Sequence, residues 1–127
     1  MSIFAIGPAT TARDSLPALF CASVAIAWSK FVPGTTGTQP NHPGMTVSGV
    51  SGTWDVWVDS TNPPCISYVS HDPTDGLTFD LNKFIQDSVT NSYGITNSMY
   101  LSVVFGGFEV WSGGDGLQLK QFCATVN

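Results

Sequence analysis

The chain contains a single glutamate, Glu109, although it has nine acidic residues in all. Its neighbours Phe108, Val110 and Trp111 are apolar. A carboxyl group among aromatic side chains loses hydration, which raises its pKa and lets it hold a proton near neutral pH. Such a group can serve as a general acid when a partner carboxylate lies nearby. On periodicity alone, the alternative is a glutamate on a solvent-exposed strand face.

The other residues that could carry chemistry form no recognisable constellation. His42 and His71 lie far apart in the chain, and no cysteine or carboxylate stands at metal-ligand spacing from either. No Ser-His-Asp arrangement, phosphate-binding loop or dinucleotide fingerprint is found. We therefore expect no metal and no cofactor, and interpret both histidines as surface residues.

The elements that must position Glu109 are predicted to be strands. The 127 residues fit one small domain, and only 10% of them are charged, against roughly 25% in an average soluble domain. The chain has 13 glycines, eight prolines and many aromatic residues. This composition is typical of short strands joined by turns, and it predicts an all-β fold.

Charge and hydropathy exclude two classes of partner. The net charge is −5, and the four basic residues form no cluster that could neutralise phosphates, so we expect no nucleic acid. No apolar stretch reaches the 18 or more residues of a membrane span, so we expect no membrane insertion. We expect a monomer.

A hairpin is predicted upstream of Glu109. Residues 53–59 alternate, with Trp54, Val56 and Val58 on one face, and with Trp57 between two acids on a solvent-exposed face. Residues 65–70 form a second strand of β-branched and aromatic residues.

One amphipathic helix is predicted at about residues 80–93. Apolar residues recur at helical spacing: Leu81, Phe84, Ile85 and Val89. The Asp80 side chain can cap the first backbone amides of the helix, and Gly94 can adopt the left-handed conformation that ends a helix. Strands at 100–105 and 117–126 follow.

The first 45 residues are predicted to be an atypical leader and a loop. Residues 16–28 are apolar enough for a secretory signal, the alternative being a buried strand or short helix. The Pro-, Gly- and Thr-rich residues 33–44 mark a long loop or a junction. We therefore divide the chain into 1–45 and 46–127.

Three cysteines, Cys21, Cys65 and Cys123, cannot all pair within the chain. We expect two reduced core cysteines, with a Cys65–Cys123 disulfide as the alternative.

The segment around Glu109, GFEVWSG at 107–113, resembles the G-T-E-P-F-T-G motif of glycoside hydrolase family twelve, the endoglucanases and xyloglucanases. Residues 84–105 resemble the family's helix and its N-x-x-G-I/L-x-x-S-x-Y-L link. Residues 52–70 resemble its W-x-V-W…Y-S-F-V hairpin, and residues 117–127 its final strand. The motifs keep the family's order and spacing, and the resemblance covers about residues 46–127.

This resemblance implies a β-jelly roll of two stacked sheets with a concave cleft and one helix. It implies retaining hydrolysis of β-1,4-glucan, cellulose or xyloglucan, by an extracellular enzyme without a cofactor. Glu109 takes the position of the general acid/base. Trp57 and Trp111 are candidates for stacking on the glucose rings of the bound polysaccharide, the alternative for each being sandwich packing.

The family's nucleophile, the Glu of a Y-E-I-M-I-W-like strand, has no counterpart here. Val24 occupies its place, and Asp55 and Asp59, which flank Trp57, are candidates to replace it. We therefore expect a partial, truncated jelly roll that represents the C-terminal half of the family domain, with impaired activity. The alternative is a non-catalytic β-sandwich that binds carbohydrate or a protein partner.

Overall fold

The structure, a computed structural model, describes residues 2–7, 20–25, 39–60, 64–72, 77–99, 101, 103–107, 115–116 and 118–125. Its elements are β1 (Ser2–Gly7), β2 (Phe20–Ala25), β3 (His42–Met45), β4 (Trp54–Val58), β5 (Cys65–Ser70), α1 (Leu81–Thr90) and β6 (Val103–Gly107). The strands form one sheet in the order β3-β4-β5-β2-β1-β6. Neighbouring strands are antiparallel except β2 and β5, which are parallel. The described residues therefore form a β structure with one short helix, as predicted.

The predicted hairpin is confirmed. Strands β4 and β5 pair from Trp54 opposite Ser70 to Val58 opposite Ile66. β-Branched and aromatic residues suit this pleated, buried surface. At the outer side of β4, the β3 strand shifts register between His42 and Met45, where Gly44 has φ +66°. A glycine fits this bulge because other residues rarely adopt a positive φ.

The predicted helix is confirmed, but it ends earlier than expected. The Asp80 side chain accepts a hydrogen bond from the Asn82 amide at 2.9 Å, as an N-cap should. The helix ends at Thr90, and Ser92 takes the left-handed position with φ +59°. The Tyr93 amide donates to the Ser88 carbonyl, which closes the helix end. Gly94 also has a positive φ, but it lies two residues after this stop.

The core lies between α1 and one face of the hairpin. The rings of Trp54 and Tyr68 each meet the ring of Phe84 edge to face at 5.0 Å. Both residues are 1% exposed, and Val56 and Ile66 are fully buried beside them. Edge-to-face contacts of this kind add to the free energy gained by burying the rings.

A polar cluster ties β5 to the helix within this core. The Tyr68 hydroxyl donates to Asp87 Oδ2 at 2.7 Å, and it lies 2.8 Å from Ser88 Oγ, which can then only donate to it. Burial raises the pKa of Tyr68 far above its ordinary value. The phenol therefore stays protonated and keeps its hydrogen bond to Asp87.

Two predictions in the C-terminal part of the chain are corrected. Strand β6 covers Val103–Gly107 rather than 100–105, and Leu101 is exposed. Residues 118–125 form no strand. Strands β1 and β2 lie in the predicted leader, where the sequence has no clean periodicity. Their long-range pairing with β5 and β6 leaves no local pattern to read.

The expectation of reduced core cysteines is wrong for Cys65, which is disulfide-bonded. The Cys65–Cys123 alternative is also wrong, because Cys123 is free and exposed. The backbone register places Cys21 opposite Cys65 on the parallel strand β2. Sequence spacing could not reveal this, because it depends on β2 lying beside β5.

Candidate active-site face of the sheet

The hairpin face that points away from α1 carries Trp57, which pairs with Ser67 across the strands. Trp57 is 8% exposed and Ser67 is 5% exposed, so this face is covered as well. The prediction of a solvent-exposed Trp57 is therefore wrong. Alternation correctly places Trp57 on the face opposite Trp54, but it cannot show whether that face is covered, and Trp57 is buried.

The indole N–H of Trp57 is buried and has no hydrogen-bond acceptor among the described residues. The same holds for Trp54 on the opposite face. A buried donor without a partner costs about 1–3 kcal/mol. Trp57 thus packs in the interior in this structure, and its role in binding substrate stays a prediction.

The two aspartates that could replace a nucleophile both hold backbone in place. Asp55 Oδ1 accepts from the Gly44 amide at 2.9 Å and contacts His71 Nε2 at 2.7 Å. Asp59 Oδ1 accepts from the Cys65 amide at 2.8 Å. The first contact joins the β3 bulge and the turn after β5 to β4, and the second fixes the start of β5. Sequence reasoning missed the Asp55–His71 pair because it interpreted His71 as an isolated surface residue.

The predicted acid/base, Glu109, and the second predicted sugar-stacking residue, Trp111, lie outside the described residues. Strand β6 ends two residues before Glu109, at Gly107. It pairs along its length with β1, so that Phe105 lies opposite Phe4 and Gly107 opposite Ser2. The strand that leads to Glu109 is thus an edge strand of the described sheet.

The position predicted to correspond to the nucleophile lies in β2. Val24 stands opposite Tyr68 in the register, and Ser23 stands opposite Ser67. Tyr68 belongs to the core under α1, whereas Ser67 shares the face of Trp57. The β2 segment, FCASVA, contains no carboxylate. No residue of this strand can therefore form a glycosyl ester.

An open depression of about 500 Å³ lies where β4 ends and β5 begins, near the C-terminus of α1. Its lining includes Asp59, Asn91 and His42, whose ring lies 4.7 Å from that of Tyr93. Neither Trp57 nor any residue of β6 lines it. Trp57 therefore lies outside the depression, although Asp59 lines it.

Two further features bear on cofactors and membranes. Within the described ranges, no group of three or more His, Cys, Asp or Glu side chains is arranged to hold a metal ion. In the same part of the chain, no helix has the length and apolar character needed to cross a membrane.

Curated relatives match parts of the chain. Probable cellulase Cel12b of Mycobacterium tuberculosis is 37% identical over 62 residues, which are 49% of this chain and 40% of that protein. Xyloglucan-specific endo-beta-1,4-glucanase A of Aspergillus niger is 29% identical over 94 residues, 72% of this chain and 37% of that protein. The chain thus spans less than half the length of these relatives.

Solved structures agree with the predicted fold. Endoglucanase cel12A from Rhodothermus marinus superposes with a TM-score of 0.62 at 26% identity, over 89% of this chain and 48% of that one. A metagenome-derived glycoside hydrolase family 12 endoglucanase gives a TM-score of 0.58, also at 26% identity, over 89% of this chain and 54% of that one. This likeness confirms the prediction of a partial jelly roll.

The family comparison covers more of the chain than either curated relative does. The sequence matches the model of glycosyl hydrolase family 12 over residues 26–127. The matched range includes Glu109, Trp57 and Trp111, and it begins two residues after Val24. The chain belongs to glycosyl hydrolase family 12.

Proposed function

We propose that this chain acts on β-1,4-glucan, cellulose or xyloglucan, as a retaining glycoside hydrolase that is impaired by the loss of its nucleophile. The observation that carries the proposal is the family match over residues 26–127, which contains Glu109. The relatives named as a cellulase and as a xyloglucan-specific endoglucanase support a β-glucan as the substrate class.

In this proposal Glu109 transfers the proton. Its carboxyl protonates the glycosidic oxygen as the bond from that oxygen to the anomeric carbon breaks. The resulting carboxylate then takes a proton from the water that attacks the anomeric carbon in the second step. Because Glu109 is the only glutamate of the chain, a change at this residue removes the proposed acid without leaving another glutamate in its place.

The first step of a retaining reaction also needs a carboxylate that attacks the anomeric carbon from the other side. The β2 segment contains no such group. Asp55 and Asp59 are engaged with backbone amides, which makes them poor replacements. We therefore propose that unaided hydrolysis is slow.

An added small nucleophile tests both parts of this proposal. Azide can attack the anomeric carbon in place of the missing carboxylate, while Glu109 protonates the departing sugar oxygen. We expect azide-dependent cleavage of cello-oligosaccharides or xyloglucan oligosaccharides that yields an α-glycosyl azide. Glu109→Gln should abolish this cleavage, whereas Asp115→Asn, the same chemical change at an exposed turn residue, should leave it intact. Cleavage that persists in Glu109→Gln would contradict the assignment.

Trp57 and Trp111 are the proposed sugar-contacting residues. For Trp57 this requires the ring to become accessible when glucan binds, because the ring is covered in the unbound chain. A change in tryptophan fluorescence on adding xyloglucan, reduced in Trp57→Phe and Trp111→Phe, would support the assignment. A response that is unchanged in both variants would refute it.

We also infer an extracellular location for this protein. Disulfides persist in oxidising compartments and are rare in the cytosol. The Cys65 disulfide supports the inference. Detection of the chain in the culture medium of its source organism would test it, and exclusive recovery from the cytosol would contradict it.

The alternative function is a non-catalytic β-sandwich that binds polysaccharide or a protein partner. The observation that favours it is the absence of a carboxylate from β2. It predicts retention on immobilised glucan with no product at any azide concentration. Azide-dependent product would exclude it.

A further inference from the structure

A second candidate site is the open depression of about 500 Å³ near the C-terminus of α1. Its described lining comes mainly from three places, namely the start of β3, the end of β4 and the turn after the helix. This turn packs closely on the residue that precedes β5, because a Cβ at Gly94 would lie 2.5 Å from Pro64 Cγ. The lining is therefore held by contacts between separate elements rather than by one loop.

Two asparagine side chains in the depression have one end fixed. Asn41 Oδ1 accepts a hydrogen bond from the Val58 amide at 2.8 Å, so the Asn41 NH₂ group has no partner among the described residues. Asn91 Nδ2 donates to the Asp87 carbonyl at 2.9 Å, which leaves Asn91 Oδ1 as an acceptor. Because each side chain is already held at one end, a ligand loses less conformational entropy when it binds to the other.

The imidazole of His42 adds a third polar group. Its ring lies 4.7 Å from the ring of Tyr93 and is tilted by 31°, and Tyr93 is only 6% exposed. The imidazole is thus supported by a buried ring. Within the described part of the chain, neither of its nitrogens has a hydrogen-bond partner. In its neutral form, an imidazole offers a ligand one donor and one acceptor.

These groups suit a ligand that has hydrogen-bond donors and acceptors but no charge. Each hydroxyl group of a sugar both donates and accepts. Asp59 is the one acidic residue of the described lining, which contains no lysine or arginine. Together with the net charge of −5, this disfavours an anion. A volume of about 500 Å³ is within the usual range of ligand sites. A neutral sugar is therefore the class of ligand that fits.

We propose that this depression is a second carbohydrate-binding site, which takes one hexose unit of a neutral oligosaccharide. Asn41 donates to the sugar, Asn91 accepts from it, and His42 does either. The site uses neither Glu109 nor Trp57, so it goes beyond the proposed hydrolysis and does not depend on it. Because the depression is open, we expect weak binding with fast exchange.

Titration with cellobiose, followed in amide NMR spectra, tests the proposal. The backbone amides of residues 91–94 and the side-chain amide of Asn41 should move together along one saturation curve. Asn41→Asp keeps the oxygen that accepts from the Val58 amide but removes the NH₂ donor. We expect it to weaken binding about fivefold, the effect of one lost hydrogen bond.

Two further variants separate sugar binding from a change in structure. His42→Phe keeps an aromatic ring against Tyr93 and removes both ring nitrogens, so it should also weaken binding. Asn82→Asp is the matched control, because it makes the same chemical change near the other end of α1. Its side-chain oxygen can still accept from Gln86, and we expect the affinity for cellobiose to stay unchanged.

The outcomes decide the proposal independently of the proposed function. If these amides do not move at about 100 mM cellobiose, or move equally in Asn41→Asp, His42→Phe and the wild-type chain, the proposal is overturned. An equal response to methyl β-glucoside and methyl β-glucuronide would also overturn it, because the site should favour the neutral sugar. Glu109→Gln, which tests hydrolysis, should leave this binding intact, so failure of either proposal can be recognised separately.

Discussion

The molecule has two regions that differ in how far apart along the chain their paired residues lie. In the helix-covered unit, which comprises β4, β5 and α1, Trp54 pairs with Ser70, 16 positions along the chain. In the outer strands, β1, β2 and β6, the first two pair with each other from Gly7 opposite Phe20, but β1 also pairs with β6, where Ile3 lies opposite Gly106, 103 positions away. Pairing residues so far apart has a larger loop-closure cost before any contact forms.

The packing of the helix-covered unit is well defined. Of the residues whose burial the structure describes, the largest fully buried side chains lie in this unit, together with the Tyr68–Asp87–Ser88 cluster. In the sheet it joins the outer strands through the parallel β2–β5 pair. We infer that the helix-covered unit supports the sheet on which the proposed chemistry of the outer strands depends.

The largest effect should come from breaking the core of the helix-covered unit. Trp54→Ala removes the ring that packs on Phe84, and we expect it to lower the free energy of unfolding by about 3–5 kcal/mol. The unpartnered indole N–H is lost too, which offsets part of this cost, so Trp54→Phe should be much milder. Urea denaturation measures both variants. Leu101→Ala, at an exposed position, should change stability by less than about 0.5 kcal/mol, and an equal loss there would contradict the assignment of the core.

The same contrast decides what could be predicted from the sequence. The hairpin and the helix were predictable because alternation in 53–59 and the spacing of Phe84 and Val89 are local signals. Strands β1 and β2 and the Cys65 disulfide were not, because they depend on strand order. At the candidate site, Glu109 could be singled out by its residue type, whereas the burial of Trp57 depends on the layer that covers it.

The β2–β5 strand pair, which connects the two regions, offers a second test. Cys65 is the first residue of β5 at the β2–β5 pair, and it is disulfide-bonded. Cys65→Ser should lower stability by about 2–4 kcal/mol, since the unfolded chain regains freedom. Hydrogen exchange should quicken more in the outer strands than in α1. Cys123→Ser, at a free cysteine, is the matched control and should change neither. Uniformly faster exchange in Cys65→Ser would contradict the division into two regions.

The polar cluster under α1 should give a smaller effect that depends on pH. Tyr68→Phe leaves Asp87 and Ser88 without their phenol partner, and we expect a loss of about 1–3 kcal/mol near neutral pH. Burial raises the pKa of Tyr68 above its usual 10.0, so the unfolded chain loses this proton first. Stability from this residue is therefore complete below pH 10.0 and decreases as the pH rises above it.

The control for this pH dependence is the second tyrosine of the region. Burial also raises the pKa of Tyr93, so part of the alkaline loss should remain in Tyr68→Phe. Urea denaturation between neutral and alkaline pH would measure both contributions. A variant whose alkaline loss equals that of the wild-type chain would show that the buried phenol does not cause it.

The smallest effect is expected at the edge of the helix-covered unit, where Asp55 holds both His71 and the β3 bulge. The side chain of His71 is 45% exposed and that of Asp55 is 23% exposed, so solvent screens their attraction. His71→Ala should therefore cost less than about 1 kcal/mol. Asp55→Ala also removes the acceptor of the Gly44 amide, and it should cost about 1 kcal/mol more. High salt should leave the difference between the two variants unchanged, because that difference comes from a backbone hydrogen bond. Equal losses in the two variants would show that the bulge does not depend on Asp55, and that the edge of the sheet is held by strand pairing alone.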